Sequence, residues 1–507
     1  MVSKTKQLSI LVLACISFLN VRVAAQDYKA IKTDAEYFFR DSAGTEIIGI
    51  RIDSIQPAGN DIYYYNFKQL RPTNYDCWST DGASWLGDEV VEKQDGNFQF
   101  IVYPFNPPDS AEIFWIETKA YVSQPWRFYN YHTINDYIEA SVSQITLMNF
   151  LGLSDSVKTI SLQRKNAAGQ LVIDPINDAT ILLSKNYGLI RLPKFDDFNS
   201  FPRFFEIAGK TNPSVGIVIP TFHDIYNFDI GDEFHTIYSV FTSSYLRTTI
   251  STIRIVTGKE TYATSDSIKY TYHECKSVTK NYFSVDTTYV SNTDGFVSEI
   301  IRFNELDNEG MARMPYETII SSSLVPQRAY SSHMYLFNGR TWKTQDDPTA
   351  GYYYYSVDCW QPAITDSCLT DQGFINGLGG PYYYCYDFWG MSHEMNELVY
   401  YQKGAETWGT PLNCDSLMHV GMKEPSLRKM VSVSPNPASG IVNITAPIDL
   451  QLPGRFELFD LSGRPVAVFA VQLHSQVFDL SCLPAGLYSY RILGTTGEVF
   501  RGKIIRQ

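Results

Sequence analysis

Few residues of this chain stand at a spacing that could do chemistry. His393-Glu-Met-Asn-Glu397 opens like a zinc-protease helix, where two imidazoles one turn apart bind the metal and the glutamate between them acts as base. Glu397 stands where the second imidazole would be, so the motif is broken. Asp232, Glu233, His235 and His273 carry suitable donors for a cation if neighbouring strands bring them together; the plainer expectation is a polar turn followed by a histidine on a strand face. No Gly-x-Ser-x-Gly elbow, glycine-rich phosphate loop or EF-hand loop is present, and Asp307-Asn-Glu-Gly310 is a turn with too few ligands. A glycosidase needs two carboxylates facing each other across a cleft; among 54 Asp and Glu residues no spacing singles out a pair. The sequence therefore assigns no catalytic, cofactor-binding or metal-binding residue.

Aromatic residues and cysteines are more informative. Tyr63-Tyr-Tyr65, Tyr352-Tyr-Tyr-Tyr355 and Tyr382-Tyr-Tyr384 are dense, and aromatic rings on a sheet face stack well on sugar rings. Consecutive residues of a strand point to opposite faces, so only alternate tyrosines can share a platform. Cys77, Cys275, Cys359, Cys368, Cys385 and Cys414 make an even set, with Cys482 near the end. Their spacing fits no zinc module, and disulfides are expected. Six cysteines allow fifteen connectivities. Bridges among Cys359, Cys368, Cys385 and Cys414 are the simplest expectation, because short loops close with little long-range coincidence.

The elements that must hold these residues are strands. Ile48, Ile50 and Ile52 alternate with polar or small residues, as do Ile268, Tyr270 and Tyr272, and β-branched runs lie at 159–163 and 250–256. Breakers such as Pro57-Ala-Gly-Asn60, Pro107-Pro108-Asp109 and Asp346-Asp-Pro348 separate them. Helical periodicity is scarce; its best candidate, 134–150, also reads as strand. The expected fold is mainly β, with two or more β-rich, sandwich-like units. They are placed at 26–212 and 213–425, with a break near 209–214, and a small C-terminal Ig-like sandwich follows at 430–507.

The last segment begins with Ser434-Pro435-Asn436-Pro437 and Gly440. Phe456-Glu-Leu-Phe-Asp-Leu-Ser-Gly463 follows, then Leu483-Pro484-Ala-Gly486-Leu-Tyr488 and Gly502-Lys503-Ile-Ile-Arg506. In this order and position the motifs resemble the type A C-terminal sorting domain of the type IX secretion system of Bacteroidetes. The resemblance implies a sorting signal built on Pro435, Asn436, Pro437, Gly440, Gly463, Pro484, Gly486, Tyr488, Lys503 and Arg506. It also implies recognition by the outer-membrane machinery, then release or anchoring to surface polysaccharide. Three body stretches resemble segments of uncharacterised secreted proteins that share this tail: Phe228-Asp-Ile-Gly-Asp-Glu-Phe-His235, Gly377-Leu-Gly379 and the stretch 398–411. That likeness carries no activity over. Seven triplets of Asp, then Ser or Thr, then a small or apolar residue, beginning at Asp41, Asp53, Asp109, Asp155, Asp266, Asp286 and Asp415, resemble the O-glycosylation sequon of the same bacteria.

The amino end agrees with export. Lys4 and Lys6 precede an apolar run from Leu8 to Leu19, and Val23-Ala24-Ala25 offers a cleavage site, so residues 1–25 read as a signal peptide. Cys15 suggests a lipoprotein, but the apolar run before it is short and Leu13 is bulky for a lipobox. No segment has the length for a transmembrane span. Residues 26–426 hold 30 basic and 49 acidic side chains, a net of −19 that disfavours nucleic acid as a partner. The expectation is an exported surface or secreted β-protein with a structural or adhesive body. A glycan-binding module and a secreted hydrolase are the alternatives.

Overall fold

The computed structural model describes residues 27–418 and 431–507, except 42–43, 74–76, 104–109, 133, 199–201, 244–245, 284–286, 307–309, 322–323, 325, 347–350, 358, 363–371, 387–392, 447–449, 451 and 496–498. The signal-peptide reading falls outside these residues. The chain divides into two compact units, Met1–Met418 and His419–Gln507.

The first unit is built almost wholly of antiparallel strands. Ser267–Tyr282 shows why: along much of its length residues alternate between buried and half-exposed, the period of a sheet with one covered face. The helix-or-strand segment resolves as strand Tyr137–Phe150, which forms a long hairpin with Leu153–Lys165. Two aromatic cores fill the unit. One packs Phe100 on Phe195 at 4.4 Å and Phe114 on Tyr129 at 4.7 Å. The other gathers Phe222, Phe228, Phe234, Tyr270, Tyr272 and Tyr401. The expected break near 209–214 falls in the hairpin of Phe204–Thr211 with Ser214–Gly216, and the two cores lie on either side of it in sequence. A small cluster of Phe38, Ile47, Phe67, Met314 and Met334 joins early and late strands, as does the pairing of Ile47 with Met334.

The expectation of local bridges is corrected for Cys359 and Cys414. Cys359 pairs with Cys77, 282 residues away, and Cys414 with Cys275, 139 residues away. Tertiary packing sets both partners: Trp78 pairs antiparallel with Trp360, which brings the segments that carry Cys77 and Cys359 together, and the short helix Cys414–Met418 packs on Ser267–Tyr282. Cys385 is also disulfide-bonded, Cys482 is free and exposed, and Cys368 lies outside the described residues.

The second unit is a small two-sheet β fold. Ser432–Ser434, Ile441–Thr445 and Ser475–Asp479 form one sheet; Gly454–Phe459, Pro465–Val471, Gly486–Leu493 and Val499–Arg506 form the other. Val442, Ile444, Phe456, Leu458, Phe478, Ile492 and Ile504 are buried together, so this unit has a hydrophobic interior of its own.

Candidate functional site

The three distinctive body stretches meet at the second core. Lys403 donates to the buried Asp232 carboxylate at 2.5 Å and to the Asn227 carbonyl at 2.9 Å. Gly379, at φ +81°, packs so close to Phe228 that a Cβ would lie 3.1 Å from the ring, so a larger residue there is strained both by the backbone angle and by this contact. His235 is buried, and its Nδ1 accepts the Leu412 N–H at 2.8 Å. The proton therefore sits on Nε2, which donates to Glu233 at 2.6 Å. Both nitrogens of this neutral ring are engaged. His273 pairs instead with Asp294 at 2.9 Å. Among the described residues no group of three His, Cys, Asp or Glu could hold a metal ion. His393 begins the strand His393–Lys403, so positions 393 and 397 lie about 13 Å apart along the strand rather than one helical turn apart. These stretches weld the fold, and their polar groups are spent on one another.

Beside the weld lies a cleft of about 1000 Å³. Tyr335 and Phe337 come from Arg328–Phe337, Trp342 from Arg340–Gln345, Tyr382, Tyr383 and Tyr384 from Gly379–Tyr386, and Trp408 from Glu406–Gly409. Phe337 meets Trp408 edge-on at 4.5 Å, and Trp342 lies 6.0 Å from Tyr335. Trp408 stacks on Tyr401 at 6.2 Å. The Tyr401 hydroxyl is held in turn by Glu406 and Asn338, and Arg340 pairs with the Glu406 carboxylate and holds it below the usual carboxylate range. The indole is thus braced from behind. The wall formed by Gly409, Thr410 and Leu412 is fixed by Thr410 N–H to the Val399 carbonyl, by Leu412 to His235, and by the nearby Cys275–Cys414 bridge.

Polar groups in this cleft are few and mostly engaged. Tyr382 donates to the Leu378 carbonyl at 2.6 Å, Tyr383 to Glu394 at 2.6 Å and Asn396 to the Pro381 carbonyl at 2.7 Å. Glu397 lines the cleft, is exposed, and has no hydrogen-bond or ion-pair partner among the described residues. Glu394 lies three positions away on the same strand and so points to the other face. A cleft with half-buried ring faces and one free carboxylate suits stacking against the C–H faces of a sugar, with the carboxylate accepting a hydroxyl proton.

Only one of the three tyrosine clusters reaches the cleft. Tyr64 is buried, Tyr352 packs on Trp78 at 4.6 Å and Tyr354 meets Trp360 at 5.5 Å. Tyr382, Tyr383 and Tyr384 carried a local signal through their cluster, Glu397 lay in the broken metal motif and Trp408 in the distinctive stretch 398–411; Trp342 and Phe337 had none. Of the Asp-Ser/Thr triplets, Ser54 and Ser416 are exposed, Ser267 is buried, and Ser156 is bonded to Tyr28 at 2.8 Å. The Ser42, Asp109 and Asp286 positions lie outside the described residues.

In the second unit most tail-motif residues close the sandwich. Asn436, between Pro435 and Pro437, donates to the Lys503 carbonyl at 2.9 Å and accepts the Ile505 N–H at 2.9 Å, so its side chain acts as a piece of strand along Val499–Arg506. Ala438 continues that pairing beside Arg506. Gly440, at φ +150°, leaves room for Ser481, whose Oγ would sit 2.5 Å from a Cβ. Gly463 ends a turn in which Asp460 accepts the N–H groups of Ser462 at 2.8 Å and Arg464 at 3.0 Å. Tyr488 donates to the Pro484 carbonyl at 2.8 Å, and Gly486 lies opposite Arg506. Lys503 differs: it is exposed on the outermost strand, without an ion-pair partner among the described residues.

The family model of the secretion system C-terminal sorting domain matches residues 432–507. This unit is a type IX sorting domain, and the chain is exported to the cell surface or secreted. No helix among the described residues is long and apolar enough to cross a membrane. No curated protein matches the chain. Among solved structures it is similar to the extracellular domain of BT4673 from B. thetaiotaomicron, described in one crystal structure as a one-component system and in another as a hybrid two-component system. Identities are 9% and 8%, coverage is 95% of this chain and 99% of that chain in both, and the TM-score is 0.13 in both.

Proposed function

We propose that the chain is a noncatalytic glycan-binding protein of the cell exterior, an adhesive body delivered by its sorting domain. The cleft between Trp342 and Trp408 carries this reading: braced rings, few free polar groups and a single unpaired carboxylate among the described residues. Aromatic residues in such a site supply contact area at low entropic cost, and alternate hydroxyls of a sugar fix its orientation. Glu397 and the net −19 of the body favour neutral or amino sugars over uronic acids. The hydrolase alternative would need a second carboxylate facing Glu397, and Glu394 points away from it.

Titration calorimetry with a panel of neutral and acidic oligosaccharides tests this. A neutral or amino-sugar ligand should bind, with affinity falling at least tenfold in Trp408→Ala and Trp342→Ala, and the recovered sugar should be uncleaved. Binding that is unchanged in both variants, or cleavage of the ligand, contradicts the reading.

A further inference from the structure

The strand Thr287–Arg302 is sixteen residues long and pairs without a bulge against Ser267–Tyr282. Among the described residues no strand lies on its other side. Long bare edges are normally blunted by lysine, proline, a bulge or brevity. This edge has no lysine, proline or bulge, and it exposes Tyr289, Val290, Phe296 and Ile300. Its charged side chains are engaged within the same chain: Asp294 with His273 at 2.9 Å, Glu299 with Arg254 at 3.0 Å, which also holds Glu274 at 2.7 Å, and Arg302 with Glu305 at 3.7 Å.

We propose that this edge pairs with the same edge of a second copy of the chain, antiparallel about Gly295, to make one continuous sheet. A two-fold axis at Gly295 aligns nearly the whole strand with itself. It sets Val290 opposite Ile300 of the second copy and Thr293 opposite Val297, and each charged residue faces an uncharged one. A Cβ at Gly295 would meet nothing within 4 Å, so a side chain introduced on the axis has room.

The test uses the full chain with Cys482→Ser, which removes the exposed free thiol. Sedimentation at tens of micromolar should show a dimer. Val290→Lys combined with Ile300→Lys sets two ammonium groups against each other across the seam. It should raise the dissociation constant a hundredfold or more and leave the melting temperature of the monomer unchanged, since both positions are exposed. Gly295→Cys should cross-link to a dimer on oxidation, because directly opposed residues lie about 4.5–5.5 Å apart at Cα. Phe296→Cys, offset from its symmetry mate, should not. A monomeric parent protein, a dimer that survives the paired lysines, or failure of Gly295→Cys to cross-link overturns the proposal. A partner strand from another protein would give the first of these results.

Discussion

The two units use their distinctive residues in opposite ways. In the sorting domain the recurring motifs are the fold: Asn436 bonds the last strand, Tyr488 bonds Pro484, and Asp460 closes the turn at Gly463. In the body the distinctive stretches also build the fold, through Lys403, Asp232 and His235, and the candidate binding surface takes only part of its lining from them, at Leu398, Val399, Trp408, Gly409 and Thr410. Its two indoles, Trp342 and Trp408, come from separate hairpins. A recognition element carried by a small self-contained unit leaves a contiguous signature. A cleft assembled from distant strands does not.

Phe456→Ala should break the tail and spare the body. It empties the centre of a small core, at a cost of about 3–5 kcal/mol, which a domain of this size does not survive. Calorimetry should lose one transition and keep the other, and fractionation should find the protein retained inside the cell. A shift of both transitions would mean that the two interiors are not separate.

Cys77→Ser with Cys359→Ser acts on the body alone. That bridge spans 282 residues, and its loss should destabilise the first unit by about 2–5 kcal/mol by denaturant titration, with the tail transition unmoved.

Lys343 sharpens the comparison through pH. Burial pushes its ammonium down to about 7, though it donates to the Arg313 carbonyl at 2.6 Å and to Ser332 at 2.9 Å. In the unfolded chain the amine titrates near its usual value of about 10.4. Between those values the unfolded chain holds the extra proton, so the fold gains stability as pH rises above about 7 and loses it as pH falls back. The melting temperature of the body, relative to Lys343→Met, should rise between pH 7 and roughly 9.5. A constant difference between the two proteins over that range contradicts the assignment.

Asn436→Ala should have the smallest effect. Two exposed hydrogen bonds are lost, about 1 kcal/mol in all, so the tail should melt a few degrees lower while the body is unchanged.

The β class was legible in the sequence because alternation such as Ile268, Tyr270 and Tyr272 is a local property of a half-buried strand. The tail was legible because its turns combine proline, glycine and Asx chemistry at fixed places. That disulfides form was legible, but the partners of Cys359 and Cys414 were not: Cys77 meets Cys359 through strands joined at Trp78 and Trp360, a contact with no local trace. The cleft was legible in part, at Tyr382, Tyr383 and Tyr384, at Glu397 and at Trp408 within the stretch 398–411, whereas Trp342 and Phe337 left no local trace. His235 resembled a ligand in sequence, and only the Leu412 N–H shows that its second nitrogen is already engaged.

The most direct measurement joins residues 430–507 to an unrelated periplasmic protein in a bacterium with type IX secretion. The fused protein is then located by protease accessibility on whole cells. Delivery of the passenger to the exterior, lost again when Phe456→Ala is introduced, is the result expected of a tail that folds and acts alone. A passenger that stays in the periplasm while the complete chain is exported would contradict it.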